Sequence, residues 1–206
     1  MPPVLYLVIP CYNEQEVLPI TGPAVLDKLK QLIAQGRISP DSRALFVDDG
    51  SRDGTWPLLQ QMCREQPLLG CLKLSRNVGH QKAVLAGLMT ARQYCDAAIS
   101  MDADLQDDID AIDQFLQKFQ EGCEVVYGVR NRRDTDTSFK RRTARLFYTI
   151  MNRLGAETVY DHADFRLMSK RALDALAEFK EVNLFLRGIV PLIGFRSDYV
   201  YYDRRE

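Results

Sequence analysis

A chain of 206 residues, 46% hydrophobic and 27% charged, has the size and composition of one α/β domain that buries a real core. A formal net charge of -1 argues against a wholesale nucleic-acid binder, and no nucleic acid is expected among its partners. Five cysteines, with no C-x-x-C pair and mostly apolar neighbours, argue against a disulfide framework or zinc site and for a reducing compartment.

Along the chain, short β-type runs alternate with longer helical ones. Residues 4–10 (VLYLVIP) read as a buried strand, and residues 23–36 (PAVLDKLKQLIAQG) carry helical apolar spacing that closes on glycine. Residues 44–48 (ALFVD) predict a second strand, after which Thr55 can cap a helix running to about Gln66. A third strand is read at 72–74 with a helix at 81–94, and a fourth at 97–101 with a helix at 109–120. A fifth follows at 123–128. Strands joined by crossover helices run parallel, so a doubly wound, mostly parallel sheet flanked by helices is expected, in a single domain spanning 1–206. No apolar stretch approaches the length of a membrane span and no leader pattern opens the chain, so the chain as given is expected to be soluble.

In such sheets ligands sit beyond the carboxyl ends of the strands. The polar residues fall there. The first strand ends in Cys11-Tyr12-Asn13-Glu14, the second in Asp48-Asp49-Gly50-Ser51, the third in Ser75-Arg76-Asn77 and the fourth in Asp102-Ala103-Asp104. Packing alone does not account for four polar strand ends on one rim.

Asp102 and Asp104 are the sharpest feature. Two carboxylates leaving a buried strand repel each other unless a cation lies between them, and all-oxygen ligation suits Mg²⁺ or Mn²⁺ shared with substrate phosphates. An isolated D-x-D would read instead as a solvated turn, with Asp107 or Asp108 capping the next helix. Its setting among three other polar strand ends favours metal. An EF-hand is excluded because Asp107 stands where that loop needs glycine. For Asp48 and Asp49 two readings stand: carboxylates accepting from a nucleobase or ribose, or a glycine-supported turn before a helix. Neither G-x-G-x-x-G nor a P-loop is present.

Residues 130–145 hold seven basic side chains, Arg130, Arg132, Arg133, Lys140, Arg141, Arg142 and Arg145, against Asp134 and Asp136. Residues 139–154 read as an amphipathic helix with Arg141, Arg142 and Arg145 opposite its apolar stripe. That pattern fits either a core-packed surface helix or one lying on an anionic membrane, and the arginine-rich loop before it tips the balance towards phosphate and membrane recognition. The two histidines, His80 and His162, receive no catalytic assignment.

Taken together, VIPCYNE at 8–14, VDDGSRDGT at 47–55, SRNVGHQKAVLAGL at 75–88 and MDADLQDD at 101–108 resemble family 2 glycosyltransferases, which have the GT-A fold. GVRNRR at 128–133, KRRTARLFYTIMNRL and DHADFRLMSKRAL at 161–173 resemble the polyprenyl-phosphate branch, with its dolichol-phosphate mannose synthases and bactoprenol glucosyltransferases. The resemblance implies that Pro10, Tyr12, Asn13 and Glu14 line a nucleotide pocket and that Asp48 and Asp49 meet base and ribose. It gives Asp102, Asp104 and Gln106 to the metal, Arg130 to a donor diphosphate or acceptor phosphate, and Asp164 and Arg166 to the border of the reaction centre. It further implies a UDP- or GDP-linked sugar as donor, a polyprenyl phosphate as acceptor, and inversion by direct displacement at the cytoplasmic face of a membrane. Relatives of this kind continue past YYDRRE into a basic segment and membrane helices, so the chain is expected to stop short of them. Transfer to a saccharide hydroxyl and a non-catalytic nucleotide-sugar or membrane-binding module are the alternatives. Intact Glu14, Asp102 and Asp104 weigh against the second.

Overall fold

The computed structural model describes residues 1–131, 162–179 and 185–203. The elements run β1 (Leu5–Cys11), α1 (Leu18–Ala34), β2 (Arg43–Asp48), α2 (Thr55–Glu65), β3 (Leu69–Lys73), α3 (His80–Ala91) and β4 (Ala97–Ser100). A short 3₁₀ turn (Ile109–Ala111) then leads into α4 (Ile112–Gln120) and β5 (Val125–Arg130). After them come β6 (His162–Ser169), α5 (Lys170–Leu176), α6 (Leu186–Leu192) and β7 (Ser197–Tyr202).

The seven strands form one sheet in the order β3-β2-β1-β4-β6-β5-β7. Pairs β3/β2, β2/β1, β1/β4 and β5/β7 are parallel, whereas β6 runs antiparallel between β4 and β5. The sheet is thus mostly parallel, as expected for strands linked by crossover helices. Both faces are covered. Leu5, Leu7 and Ile9 of β1 pack with α1, α2 and α4 on one side, and Val8 packs with α3, α5 and α6 on the other. At Gly87, a Cβ would come within 2.4 Å of Val8 Cγ1 and 2.8 Å of Val47 Cγ2, so α3 lies closer to the strands than any side chain there would allow.

Several boundaries differ from the sequence reading, each for a local reason. α1 begins at Leu18, ahead of the expected Pro23, because Pro19 occupies the first turn, where a missing N–H costs nothing. β3 spans Leu69–Lys73 and not 72–74, because residues 69–73 pair in register with Ala44–Asp48 of β2. Thr55 lies inside α2 and does not cap it: Gly54 holds the cap position, and Thr55 Oγ1 accepts from the Glu14 backbone N–H at 2.8 Å. Asp108 caps the turn before α4 by accepting from Asp110 N, while Asp107 is buried for another purpose. All five cysteines are free. Among the described residues no helix is long and apolar enough to cross a membrane.

Candidate active site

The loops leaving β1, β2 and β3 are joined by short-range polar bonds. Asn13, in the left-handed region at φ 57°, donates its backbone N–H to Ser51 Oγ (3.0 Å) and accepts from Arg52 N through Oδ1 (2.9 Å). Gln15 Oε1 accepts from Gly54 N at 2.7 Å. Asp49 accepts from Val78 N (2.7 Å) and Gly79 N (2.9 Å), one bond to each oxygen. Gly50 stands at φ 69°, and a Cβ there would meet Arg76 C and Asn77 N at 2.5 Å. Only glycine permits that approach.

Above these loops and the end of β4 opens a cleft of ≈ 470 Å³. Pro10, Tyr12, Glu14, Asp49, Asp102 and Asp104 all line it, so residues from three separate segments of the chain meet in one cavity. Other expected residues take supporting places. Asp48 is fully buried, with Oδ1 accepting from Ser51 N and Oδ2 unpartnered, and it is not part of the lining. Asn13 shapes the loop as described, and Gln106 donates its backbone N–H to Asp104 Oδ1 at 3.0 Å.

The electrostatics of the cleft are unbalanced towards negative. Burial raises the Glu14 carboxyl above its usual range, and the nearby Asp104, Asp53 and Asp102 push it further. Asp102 is raised chiefly by burial, then by Asp107, Asp104 and Asp164, with His80 acting the other way. Carboxylates that destabilise each other at the mouth of a cleft form a site for positive charge.

The opposite rim carries its own compensation. His80, the first residue of α3, brings Nε2 to 3.2 Å from Asp164 Oδ2 and 3.7 Å from Asp102 Oδ1. Asp164, on β6, also accepts from Gln81 Nε2 (3.0 Å) and from Arg187 of α6 through Nε (3.1 Å) and Nη2 (3.3 Å). Burial alone would raise Asp164, but hydrogen bonds from His80 and Arg187, together with their charge, hold it well below the ordinary carboxylate range. The same hydrogen bond to Asp164 lifts His80 above its usual value, against the effect of its own burial. Arg130, at the end of β5, is held by Asp107 Oδ1 through Nε (3.0 Å) and Nη2 (2.8 Å). Arg166 is only 4% exposed, and its guanidinium lies 5.2 Å from the centre of the Tyr127 ring with Nε and Nη2 unpartnered. It lies on the same strand as Asp164, and its side chain is packed against the sheet and does not line the cleft.

With this geometry in view, the comparisons with known proteins are specific. The family model described as Glycosyl transferase family 2 matches residues 6–177. The chain belongs to this family. It is 55% identical over 205 residues to the uncharacterized glycosyltransferase YkoT of Bacillus subtilis (strain 168), covering 99% of this chain and 60% of that protein. It is 36% identical over 203 residues to the prophage bactoprenol glucosyl transferase homolog of Escherichia coli (strain K12), covering 97% and 63% respectively. The chain therefore spans about 60% of the length of these relatives. Among solved structures, a mannosyltransferase from Pyrobaculum calidifontis in complex with GDP-Man and Mn²⁺ superposes with a TM-score of 0.62 at 17% identity, covering 98% of this chain and 55% of that one. The fold of this family 2 chain is GT-A.

The donor set fits a hard divalent cation. Asp102 and Asp104 offer oxygen ligands beside Glu14, on an open cleft where substrate phosphates can complete the shell. Among the described residues no group of three or more His, Cys, Asp and Glu side chains is placed to hold a metal ion by itself. Sequence reasoning missed His80, Arg187 and Asp107. His80 sits at a helix start in a loop that already looked functional, and that placement was the available signal. Arg132, Arg133 and the basic helix read over 139–154 lie outside the described residues.

Proposed function

We propose that this chain is the catalytic domain of a glycosyltransferase that moves a hexose from a UDP- or GDP-linked donor to a polyprenyl phosphate with inversion. The observation that carries the reading is the convergence of Glu14, Asp102 and Asp104 on one cleft with too little positive charge. The names of the relatives and of the solved neighbour support donor, acceptor and metal. Asp102 and Asp104, with Gln106 beside them, would hold Mg²⁺ or Mn²⁺, which when bound would neutralise charge on the leaving diphosphate. Pro10, Tyr12 and Glu14 bound the nucleotide pocket, and Asp49 shapes its floor by fixing the loop at Val78 and Gly79.

The acceptor follows from proton chemistry. A sugar hydroxyl needs a base to take its proton. Asp164 is a poor one, because Arg187 and His80 already bond its oxygens and hold it ionised. His80 is held towards its protonated form by the same partner. A phosphate monoester needs no base, since its second pKa of about 6 leaves an ionised oxygen at neutral pH. Arg130, paired with Asp107, and Arg187, paired with Asp164, are the described cations assigned to orient that anion against the donor. Membrane association through residues 139–154 completes the reading and places the reaction at the cytoplasmic face.

The test is transfer of labelled sugar from a panel of UDP- and GDP-sugars by the full-length protein in anionic vesicles. Product is expected with polyprenyl phosphate, and none with the dephosphorylated polyprenol. Equal transfer to the alcohol would move the assignment to hydroxyl acceptors.

A further inference from the structure

The turn that carries Asp102 and Asp104 is pinned from two places that contribute nothing to the cleft. On one side stands Thr21, fully buried on α1. A threonine within a helix ordinarily bonds the carbonyl one turn back, as Thr90 does with Ala86 O at 2.8 Å. Thr21 instead reaches across the fold and donates Oγ1 to Ala103 O at 2.5 Å. That carbonyl belongs to the residue between the two aspartates. Leu18, Val25 and Leu29 of the same helix are fully buried and apolar, so a valine would suit position 21 sterically, and only the hydroxyl does what threonine does there.

On the other side Asp107, 1% exposed, receives the Tyr202 hydroxyl on Oδ1 at 2.6 Å, alongside Arg130. Tyr202 ends β7 and is itself buried. Between the two pins, Leu105 holds a left-handed backbone at φ 54°, a conformation that a non-glycine residue keeps only when its surroundings impose it. Asp104 Oδ1 closes the turn by accepting from Gln106 N.

We infer that Thr21 and Tyr202 are positioning residues for the Asp102-Ala103-Asp104 turn, holding the two carboxylates at the separation a divalent cation requires. The inference rests on reading those carboxylates as a cation site. The hydroxyl bonds act before any ligand arrives: they offset the repulsion between the carboxylates and the strain at Leu105, so binding does not have to order the turn. Loss of either hydroxyl leaves the turn free to open.

The experiment uses the whole chain and reads Mn²⁺ binding directly, by the electron paramagnetic resonance signal of free Mn²⁺, with UDP and with GDP present. Wild type is compared with Thr21→Val, Thr21→Ser, Tyr202→Phe and Asp104→Asn, well below the melting temperature of each. Thr21→Val and Tyr202→Phe should each weaken Mn²⁺ binding by about 2- to 12-fold, the change matching one net hydrogen bond. Thr21→Ser, which keeps the hydroxyl, should restore the wild-type value even if it melts lower. The inference fails if both hydroxyl deletions titrate like wild type while Asp104→Asn loses Mn²⁺. It also fails if Thr21→Ser binds as weakly as Thr21→Val, because packing would then be the cause. Wild-type Mn²⁺ binding by Asp104→Asn overturns the cation site itself, and the inference falls with it.

Discussion

The two rims of the cleft are built by different physics. On the rim formed by β1, β2 and β3, the loops hold one another mainly through backbone N–H groups and short side chains, as between Asn13 and Ser51, Gln15 and Gly54, and Asp49 and Val78. On the rim formed by β4, β5 and β6, the same task falls to charged side chains: Asp164 with His80 and Arg187, and Asp107 with Arg130. A bond from the backbone fixes a loop in one shape and is nearly indifferent to what enters the cleft. A pair of opposite charges can exchange partners when a phosphate arrives. Under the proposed function, the first rim would serve as a mould for the part of a ligand that does not react, and the second could change its pairing during the reaction.

The comparison is broken most severely by neutralising the charged rim. Asp104→Asn should abolish the extra melting-temperature rise that UDP or GDP gives with Mn²⁺ over EDTA, and should cut transfer on the order of 10²-fold or more. Next is the contrast between Arg130 and Asp164, the cation and the carboxylate that the proposal sets beside the acceptor. Arg130→Ala should lower turnover on the order of 10²-fold and Asp164→Asn only about 10-fold, measured under saturating donor. The pH dependence sharpens this. The Asp164 carboxyl lies below its ordinary range, so it stays ionised throughout neutral and mildly acidic conditions. The acidic limb of the rate profile should therefore follow acceptor phosphate ionisation at about pH 6 and survive in Asp164→Asn. Loss of that limb in the variant would make Asp164 a general base. The smallest effect belongs to the moulded rim. Gly50→Ala should cost about 1–3 kcal/mol in urea unfolding through its φ of 69° and the Cβ approach to Arg76, yet leave the metal-dependent part of nucleotide stabilisation in place.

The first rim was legible in the sequence; on the second, Asp102, Asp104, Arg130 and Asp164 were named, but the pairings of Asp164 and Arg130 were not. Short strands followed by polar turns announce a parallel sheet locally, because every crossover lies within one stretch of chain. The D-x-D pair could be read as a site from its place after β4. The partners of the charged rim come from remote positions: Asp164 and Arg187 reach His80 from 84 residues away and Asp164 from 23 residues away, respectively. No periodicity encodes such distances. The burial of Arg166 was not legible for a related reason: a strand that packs an arginine over a tyrosine ring breaks the polar-out pattern. Asp107 read as a helix cap because its neighbour Asp108 is one, and only the pairing with β5 and β7 shows its charge to be spoken for.

The antiparallel strand β6 has a consequence for the order in which this protein is made. β4 and β5 lie next to each other in sequence but are not neighbours in the sheet, because β6 occupies the place between them. On the ribosome, β1 to β4 can assemble as soon as they emerge, while the free edge of β4 waits for residues 162–169. The rim of backbone-held loops thus precedes the charged one in time, and Asp164 enters on the strand that closes the gap. Until then the open edge of β4 faces solvent as a template for unintended pairing. Chains released before residue 162 should aggregate, and chains that extend past β6 should not.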